Sequence, residues 1–406
     1  MLLRGWLDRW PGPAPAGNLT RFCSLHSGTM TTAELLSIGS ELLLGETIDT
    51  NAAFLGQQLA GLGIPLRTVR MLPDDRAVLR DAFAEARARS TVVLATGGLG
   101  PTHDDLTREA LGDALGEEPV EDPGLLAALE ARFMAASGAM PASNRRQATL
   151  IPSAETLANP IGSAPGWWVE RDGVIVVLMP GVPSEMRRMW AEQVAPRLSA
   201  RFELPPLAVR SVKAFGIGES AMAERLESLL TNPPAGVEAG IYARDDGVHA
   251  RFSTRGDPTL LDGSVEAALA ALGRDAYGTD DDDLARAALA RLGELGVESV
   301  ASWESDTGGA LLAILSATSP LPGAARYLGG VLDMGTPSGP PIGDAVIQLS
   351  LLKLDPNGRS RVQVAVSGRV AMSPIELRVH GSGPQRLRRA AFAALNAVRE
   401  LSASGR

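Results

Sequence analysis

The chain has 406 residues, 45 % hydrophobic, 21 % charged and 4 % aromatic, with 47 acids against 38 bases and a formal charge of −9. That length excludes a single small module and suits two or three domains, each with its own core, while the acidic balance excludes a general pull toward nucleic acid or anionic lipid. Lys213 and Lys353 are the only lysines and neither follows a glycine-rich phosphate loop, so Walker-type chemistry is out.

Residues 1–29 carry Pro11, Pro13 and Pro15, with Arg4, Arg9 and Arg21 against the single acid Asp8, and sustain no helical or strand period. They read as a disordered leader, counted as 1–32 up to the first strand, with Met30 as the expected start; the apolar core of a secretory signal is missing. Beyond them, short apolar runs alternate with amphipathic segments. Strands are expected over 34–38, 66–71, 91–95 and 174–179, and helices over 51–62, 75–89, 104–115, 124–137 and 184–198. The runs at 91–95 (TVVLA) and 174–179 (VIVVLM) are continuous and β-branched, as for strands buried on both faces. The alternation predicts an α/β domain over 33–200 with a parallel, three-layer, doubly wound sheet and its sites at the carboxyl ends of the strands.

After Pro205 and Pro206 the pattern changes. Strands over 207–215, 237–243 and 248–254 and helices over 220–230 and 260–272 suggest a small α+β domain at 201–278. Asp245, Asp246 and Gly247 mark a hairpin turn within it. Asp280 to Asp283 then open a third region, 279–404, read as an α/β domain; the four acids suit a linker and a solvated helix start.

Cys23 is the only cysteine, and His26, His103, His249 and His380 are scattered. There is no intrachain disulfide and no thiolate zinc site. A divalent cation, if used, would be held by carboxylates and be hard, such as magnesium or manganese. No stretch approaches the ~18 apolar residues of a membrane span. The expected setting is reducing and cytoplasmic, with no membrane and no nucleic acid as partner.

Three loops carry the candidate chemistry. In the first, Gly97, Gly98, Gly100, Pro101 and Thr102 follow a buried strand, with Asp104, Asp105 and Thr107 after them. Glycines let a backbone approach a ligand, and amides at a helix start suit a phosphate. Two adjacent acids would repel an anion unless a divalent cation bridges them to its oxygens; alternatively they cap the helix. The second loop follows the first strand and holds Glu41, Asp49 and Asn51, where Asp49 or Thr50 serves equally as a helix N-cap. The third runs through Pro180, Gly181, Pro183 and Glu185, with Pro183 suited to the first position of a helix.

On these stretches (Gly39 to Gly45, Asp49 to Asn51, TGGLGPTHDDLT at 96–107, Asn144 to Ala148, PGVPSEM at 180–186 and Phe215 to Ser220) the sequence resembles the CinA family, competence/damage-inducible protein A. The resemblance spans about 33–272 and implies an N-terminal domain similar to the MogA/MoaB molybdopterin-binding fold. It implies a nucleotide-type ligand there and, in some members, hydrolysis of the pyrophosphate of ADP-ribose with a divalent cation (magnesium, manganese or cobalt), as part of NAD turnover. It also suggests a homodimer.

Placed on this sequence, a pyrophosphate would lie on the amides of residues 98–102. Gly97, Asn51, Thr107, Pro180, Gly181 and Glu185 would complete the ligand site, and Asp104, Asp105, Asp49 and Glu41 would hold the cation, the first two being the catalytic candidates. Molybdopterin binding or adenylyl transfer, and a non-enzymatic nucleotide-binding regulator, are the alternatives.

For the last third, the family's nicotinamide mononucleotide deamidase carries Glu-Ser-x-Thr-Gly-Gly with a serine nucleophile. Glu304, Ser305, Asp306, Thr307, Gly308 and Gly309 match it, and Leu328 to Val331 resemble the next motif. The tyrosine-containing segment that should follow is replaced by Leu332, Asp333, Met334, Gly335 and Thr336, and the later Thr-Gly-x-x-Gly-Pro loop survives only as Ser367 to Ala371. Asp306 adds negative charge where an alkoxide would have to form. The expectation is a retained fold with a vestigial Ser305, and with Ser305 or Asp306 capping a helix that runs through Leu315.

Overall fold

The computed structural model describes residues 31–319, 321–333, 343–354 and 360–402. The leader expected for 1–32 therefore falls outside it except for Thr31 and Thr32, as do Met334, Gly335 and Thr336 of the altered motif. The chain divides into two compact units between Leu204 and Pro205.

The first unit begins with strand β1 (Ala33–Ile38), the one-turn helix α1 (Ser40–Leu43), α2 (Thr50–Gly61), β2 (Leu66–Leu72), α3 (Arg76–Arg89) and β3 (Val92–Thr96). Helix α4 (Thr107–Leu115) follows, then the short β4 (Val120–Glu121), α5 (Pro123–Ser137), β5 (Thr149–Leu150), β6 (Ala154–Leu157), β7 (Gly166–Arg171) and β8 (Val174–Met179). Helices α6 (Pro183–Met189) and α7 (Ala195–Phe202) close it, joined by a π-helical turn, Trp190–Val194. That turn precedes Pro196, which has no N–H to donate back along the helix.

Six strands form one sheet in the order β2-β1-β3-β8-β7-β6. The first four are mutually parallel, but β7 is antiparallel to β8, and β6 to β7. The sheet is thus mixed, not wholly parallel. β1 and β3 are buried at every position, β3 as its β-branched apolar run requires and β1 although it carries Glu34 and Ser37. Separate apolar clusters fill the two faces: Phe83, Leu111 and Trp167 belong to one, and Leu55, Trp190 and Leu198 to the other. The ends of the elements follow local rules. Asp75 accepts from the amides of Ala77 and Val78 to start α3, and Gly116 ends α4 in the left-handed region.

The second unit holds two sheets. β9 (Ala208–Ala214), α8 (Glu219–Arg225), α9 (Glu227–Thr231), β10 (Glu238–Arg244), β11 (Gly247–Thr254), α10 (Asp262–Leu272) and β12 (Ala276–Thr279) build an antiparallel sheet ordered β10-β11-β9-β12. The β10–β11 hairpin turns through Asp245 and Asp246, with Arg244 opposite Gly247. Next come α11 (Leu284–Glu294), β13 (Ser299–Ser305), α12 (Ala310–Ala317), β14 (Arg326–Asp333), β15 (Ala345–Leu354), β16 (Ser360–Gly368), β17 (Met372–Val379) and α13 (Gly383–Arg399). These strands form a sheet ordered β14-β13-β15-β16-β17.

The acids at 280–283 are more than a solvated run. Asp280 accepts from Arg210 and from the Ser211 amide, Asp282 from the Thr279 amide, and Asp283 caps α11 at the Arg286 amide.

Candidate functional site

The carboxyl ends of β1, β3 and β8 lie side by side, and the loops that leave them line one cleft of about 430 Å³. Glu41, Gly97, Gly98, Gly100, Pro101, Thr102, Asp104, Asp105, Pro180, Gly181 and Glu185 all reach it, together with Asp74, Gln147 and Ser163. Asp49, Asn51 and Thr107 are not part of its lining.

The glycine loop is shaped by close backbone contacts. Gly97 has a φ of +102°, and a Cβ there would run into the backbone carbonyl of Ile38 on β1. Gly98 has a φ of +63°, and a Cβ there would meet the Thr107 hydroxyl. That hydroxyl, fully buried, donates to the Gly97 carbonyl at 2.9 Å, and the Thr107 amide donates to the Gly98 carbonyl at 3.3 Å. Helix α4 consequently starts at Thr107 and not at residue 104. Asp104 and Asp105 sit in the turn before it and cap nothing: the position ahead of the helix is Leu106, with no side-chain cap.

Asp105 instead accepts from both the amide and the hydroxyl of Thr102, closing the loop on itself. Pro101 has no N–H and the Thr102 amide is engaged. Of the amides expected to cradle a phosphate, those of Gly98, Leu99 and Gly100 are left without a protein acceptor among the described residues.

The remaining site residues have distinct duties. Asn51, 7 % exposed, donates to the Gly181 carbonyl at 2.8 Å and so ties the third loop to the second. Asp49, not Thr50, is the N-cap of α2, accepting from the Ala52 amide at 2.8 Å. The Asn51 Oδ1 and the second carboxylate oxygen of Asp49 are buried with no protein partner. Glu185 accepts from Asn159 at 2.7 Å, and Asp74 holds the amide and hydroxyl of Ser40. Pro183 opens α6, as its missing N–H allows.

Behind the glycine loop lies a residue that the motif reading passes over. Arg108 is 3 % exposed, donates to the carbonyls of Leu99 at 3.0 Å and Pro165 at 2.8 Å, and sits 5.8 Å from the centre of the Trp167 ring. Among the described residues it has no ion-pair partner, and its Nε is unpartnered. Burial pushes its pKa down to about 10, with the charges of Glu109 and Asp105 acting in the opposite sense, so it stays cationic at neutral pH. Gln147 also donates to the Leu99 carbonyl, and Arg146 bridges the Thr102 carbonyl and Glu109. The clue in the sequence is the position of Arg108, in the first turn of a helix whose inner face is Ala110 and Leu111.

Thr102, the loop backbone and the charges of His103 and Arg146 together hold the exposed Asp104 carboxyl below the usual carboxylate range. The four acids expected to bind a cation do not converge. Asp49 lies off the cleft, Asp105 is engaged by Thr102, and no three Asp, Glu, His or Cys side chains among the described residues form a metal-binding set. Glu41 and Asp104 on the cleft wall suit a hard ion that arrives with a ligand's phosphates, since magnesium is commonly held by one or two carboxylates plus substrate oxygens. They do not form a cage for a resident ion.

In the second unit, β13 ends in the other motif. The buried Glu304 carboxylate accepts from the Thr307 hydroxyl at 2.6 Å and from the amides of Leu311 at 3.0 Å and Leu312 at 2.6 Å. Glu304, and not Ser305 or Asp306, therefore satisfies the start of α12, which does run through Leu315. Asp306 lies in the left-handed region at φ 58°. Among the described residues no helix is long and apolar enough to cross a membrane.

Fold and loops together define an α/β domain of the MogA/MoaB type, followed by further domains. Residues 34–200 match the family model described as "Probable molybdopterin binding domain", and residues 209–278 match "Damage-inducible protein CinA KH domain". A CinA-like protein of Thermomicrobium roseum is 44 % identical over 297 residues, 72 % of either chain, and one of Deinococcus deserti is 40 % identical over 298 residues, 71 % of either chain. The chain belongs to the CinA-like proteins. Among solved structures, CinA from Thermoplasma acidophilum matches at 32 % identity over 42 % of this chain and 99 % of its own, with a TM-score of 0.40. MoaB from Thermus thermophilus matches at 18 % identity over 42 % of this chain and 98 % of its own, with a TM-score of 0.28.

Proposed function

We propose that the cleft binds a nucleotide-type phosphoanhydride and hydrolyses it, with ADP-ribose as the substrate, giving AMP and ribose 5-phosphate. The observation that supports this most is Arg108, a buried cation with no counter-ion, held against the back of a glycine loop whose front amides lack acceptors. A buried charge without a partner is costly. An anion laid on the loop offsets that cost, and the amides of Gly98, Leu99 and Gly100 are the donors that would receive it.

The chain's residues then act in layers. Thr107 and Asn51 fix Gly97 and Gly181, Asp105 fixes Thr102, and Glu41 and Asp104 face the ligand. Asp104 stays ionised at neutral pH and is the acid best placed to meet a divalent cation carried by the ligand, with Glu41 as its companion. Bound there, such a cation would supply charge neutralisation at the phosphoryl oxygens. In the overall reaction water adds across one P–O bond of the pyrophosphate, so each product keeps one phosphate. A homodimer and a cytoplasmic setting go with this reading.

The "Probable molybdopterin binding domain" match favours a second reading, in which the same loops hold the phosphate of a pterin. For the last domain we propose loss of nicotinamide mononucleotide deamidation, because Leu332 to Thr336 replace the family's tyrosine-containing segment, the Thr-Gly-x-x-Gly-Pro loop survives only as Ser367 to Ala371, and Asp306 adds negative charge beside Ser305. The test is product analysis with ADP-ribose and magnesium or manganese. AMP and ribose 5-phosphate should form, and Asp104→Ala should abolish them; unchanged turnover in that variant would refute the assignment.

A further inference from the structure

The amino ends of the same strands hold a separate chamber of about 680 Å³. Thr32 and Thr91 lie just ahead of β1 and β3, Val174 is the first residue of β8, and all three line it. The cleft opens where these strands end. A strand length of five or six residues, about 16–20 Å, therefore separates the two spaces, and they share no lining residue.

Three arginines reach this chamber: Arg67 from β2, and Arg87 and Arg89 from the last turn of α3. Cations in the last turn suit the negative end of a helix, but two acids already answer them. The buried Glu34 takes the Nε and one Nη of Arg89 at 3.0 and 2.8 Å, so that pair is complete. Asp172, mostly exposed on the β7–β8 turn, takes one nitrogen of Arg87 at 3.1 Å. Positive charge is left over. Among the described residues the Arg67 guanidinium makes one bond, to the Arg89 carbonyl at 3.3 Å, and meets no carboxylate. The Arg87 side chain is only 15 % exposed, and its Nε is buried without an acceptor, a costly state for a charged donor.

We infer that this chamber is a second anion site and that it takes a small phosphate monoester. Guanidinium forks match phosphate oxygens in pairs, and Arg67 and the Nε edge of Arg87 are the donors without acceptors. The volume lies within the roughly 300–1,000 Å³ that holds a whole small ligand, so an organic body has room beside the phosphate. Ala88, Gly173, Val174 and Thr32 form the rest of the wall, while the hydroxyls of Ser90 and Thr91 are engaged by Glu34 and the Thr32 carbonyl. A nucleic acid would need a broad basic surface, which a chain of formal charge −9 does not favour. The site stands whether or not the cleft turns over a phosphoanhydride.

The experiment is calorimetric titration of the full-length chain with glucose 6-phosphate, inorganic phosphate and glucose, repeated on Arg67→Met and Asp172→Asn. Both residues are exposed, and asparagine accepts the left-handed φ of 55° at position 172. Glucose 6-phosphate should bind at least about tenfold more tightly than inorganic phosphate, and glucose should not bind. Arg67→Met should weaken the sugar phosphate by about tenfold or more. Asp172→Asn removes the carboxylate that competes for Arg87, and should tighten it about two- to fivefold. No binding of glucose 6-phosphate, or binding that Arg67→Met leaves unchanged, would overturn the site. Inorganic phosphate binding as tightly as the ester would overturn the monoester. Should Arg67→Met not fold, hydrogen exchange on the wild-type chain decides: protection by glucose 6-phosphate at residues 86–91 and 171–174 supports the site, and protection confined to residues 97–107 overturns it.

Discussion

Two turns in this chain are built alike and end differently. In each, a central parallel strand, β3 or β13, runs into a pair of left-handed glycines, Gly97 and Gly98 or Gly308 and Gly309, and then a helix. After β13, the chain supplies its own anion. Glu304 accepts the Thr307 hydroxyl and two amides of α12, so the donors at the helix start are satisfied internally. After β3, Asp105 packs against Gly100 but accepts from Thr102 and not from the glycine amides, and the charge behind the loop is the cation Arg108. On the proposed function, the same local geometry gives a closed structural joint in one place and an open anion receptor in the other. What separates them is the direction in which one or two carboxylates point.

The comparison can be broken most severely at the open turn. Arg108→Met keeps the volume against Trp167 but removes the cation; pyrophosphate affinity should fall by about 10- to 100-fold, the range of a lost charge-assisted contact. Unchanged affinity by calorimetry would show that the buried charge has no part in binding. At the closed turn the expected loss is of stability. Glu304→Ala should cost about 3 kcal/mol in the second unit's urea unfolding, because three bonds to a buried carboxylate disappear together. A loss under about 1 kcal/mol would mean that the joint is not closed in solution.

A smaller effect reports on the second unit through pH. Burial alone would raise the Asp246 pKa, but hydrogen bonds from His249 and Tyr277 outweigh it and bring it down to about 2. A depressed carboxylate stabilises the fold above its ordinary pKa near 4, and that contribution is lost as the pH falls toward 2. Asp246→Asn should remove about 1 kcal/mol of stability at neutral pH, discounted for partial exposure, and flatten the acid side of the unfolding curve. Smallest, Asp49→Ala should cost ~1 kcal/mol as a lost N-cap of α2. If that variant also abolished metal-dependent turnover, Asp49 would belong to the cleft after all.

Much of the first unit is legible without coordinates. β3 and β8 stand out as continuous apolar runs, β1 as a shorter run broken by Glu34 and Ser37, and the loops after all three carry the glycines and acids that line the cleft. β6 and β7 do not stand out. AETL and GWWVER are short, carry their polar residues side by side and not in alternation, and each follows a proline, so their antiparallel addition to the sheet appears only in three dimensions. The start of α4 moved to Thr107 because a long-range contact, a Cβ-free Gly98 packed on the Thr107 hydroxyl, decides where the helix begins. Carboxylate direction is equally hidden. Asp104 and Asp105 are neighbours of the same type and both line the cleft, yet it is Asp105 that closes the turn on Thr102. Arg108, adjacent to a recognised motif, is marked in the sequence only by its place in the first turn of α4, ahead of the buried Ala110 and Leu111.

The two turns are told apart most directly by turnover. Full-length chain incubated with ADP-ribose and with nicotinamide mononucleotide, with and without magnesium, gives the answer in one assay. AMP and ribose 5-phosphate should appear from ADP-ribose only with the cation, and no ammonia should be released from nicotinamide mononucleotide. Ammonia release that vanishes in Ser305→Ala, with ADP-ribose left intact, would contradict it.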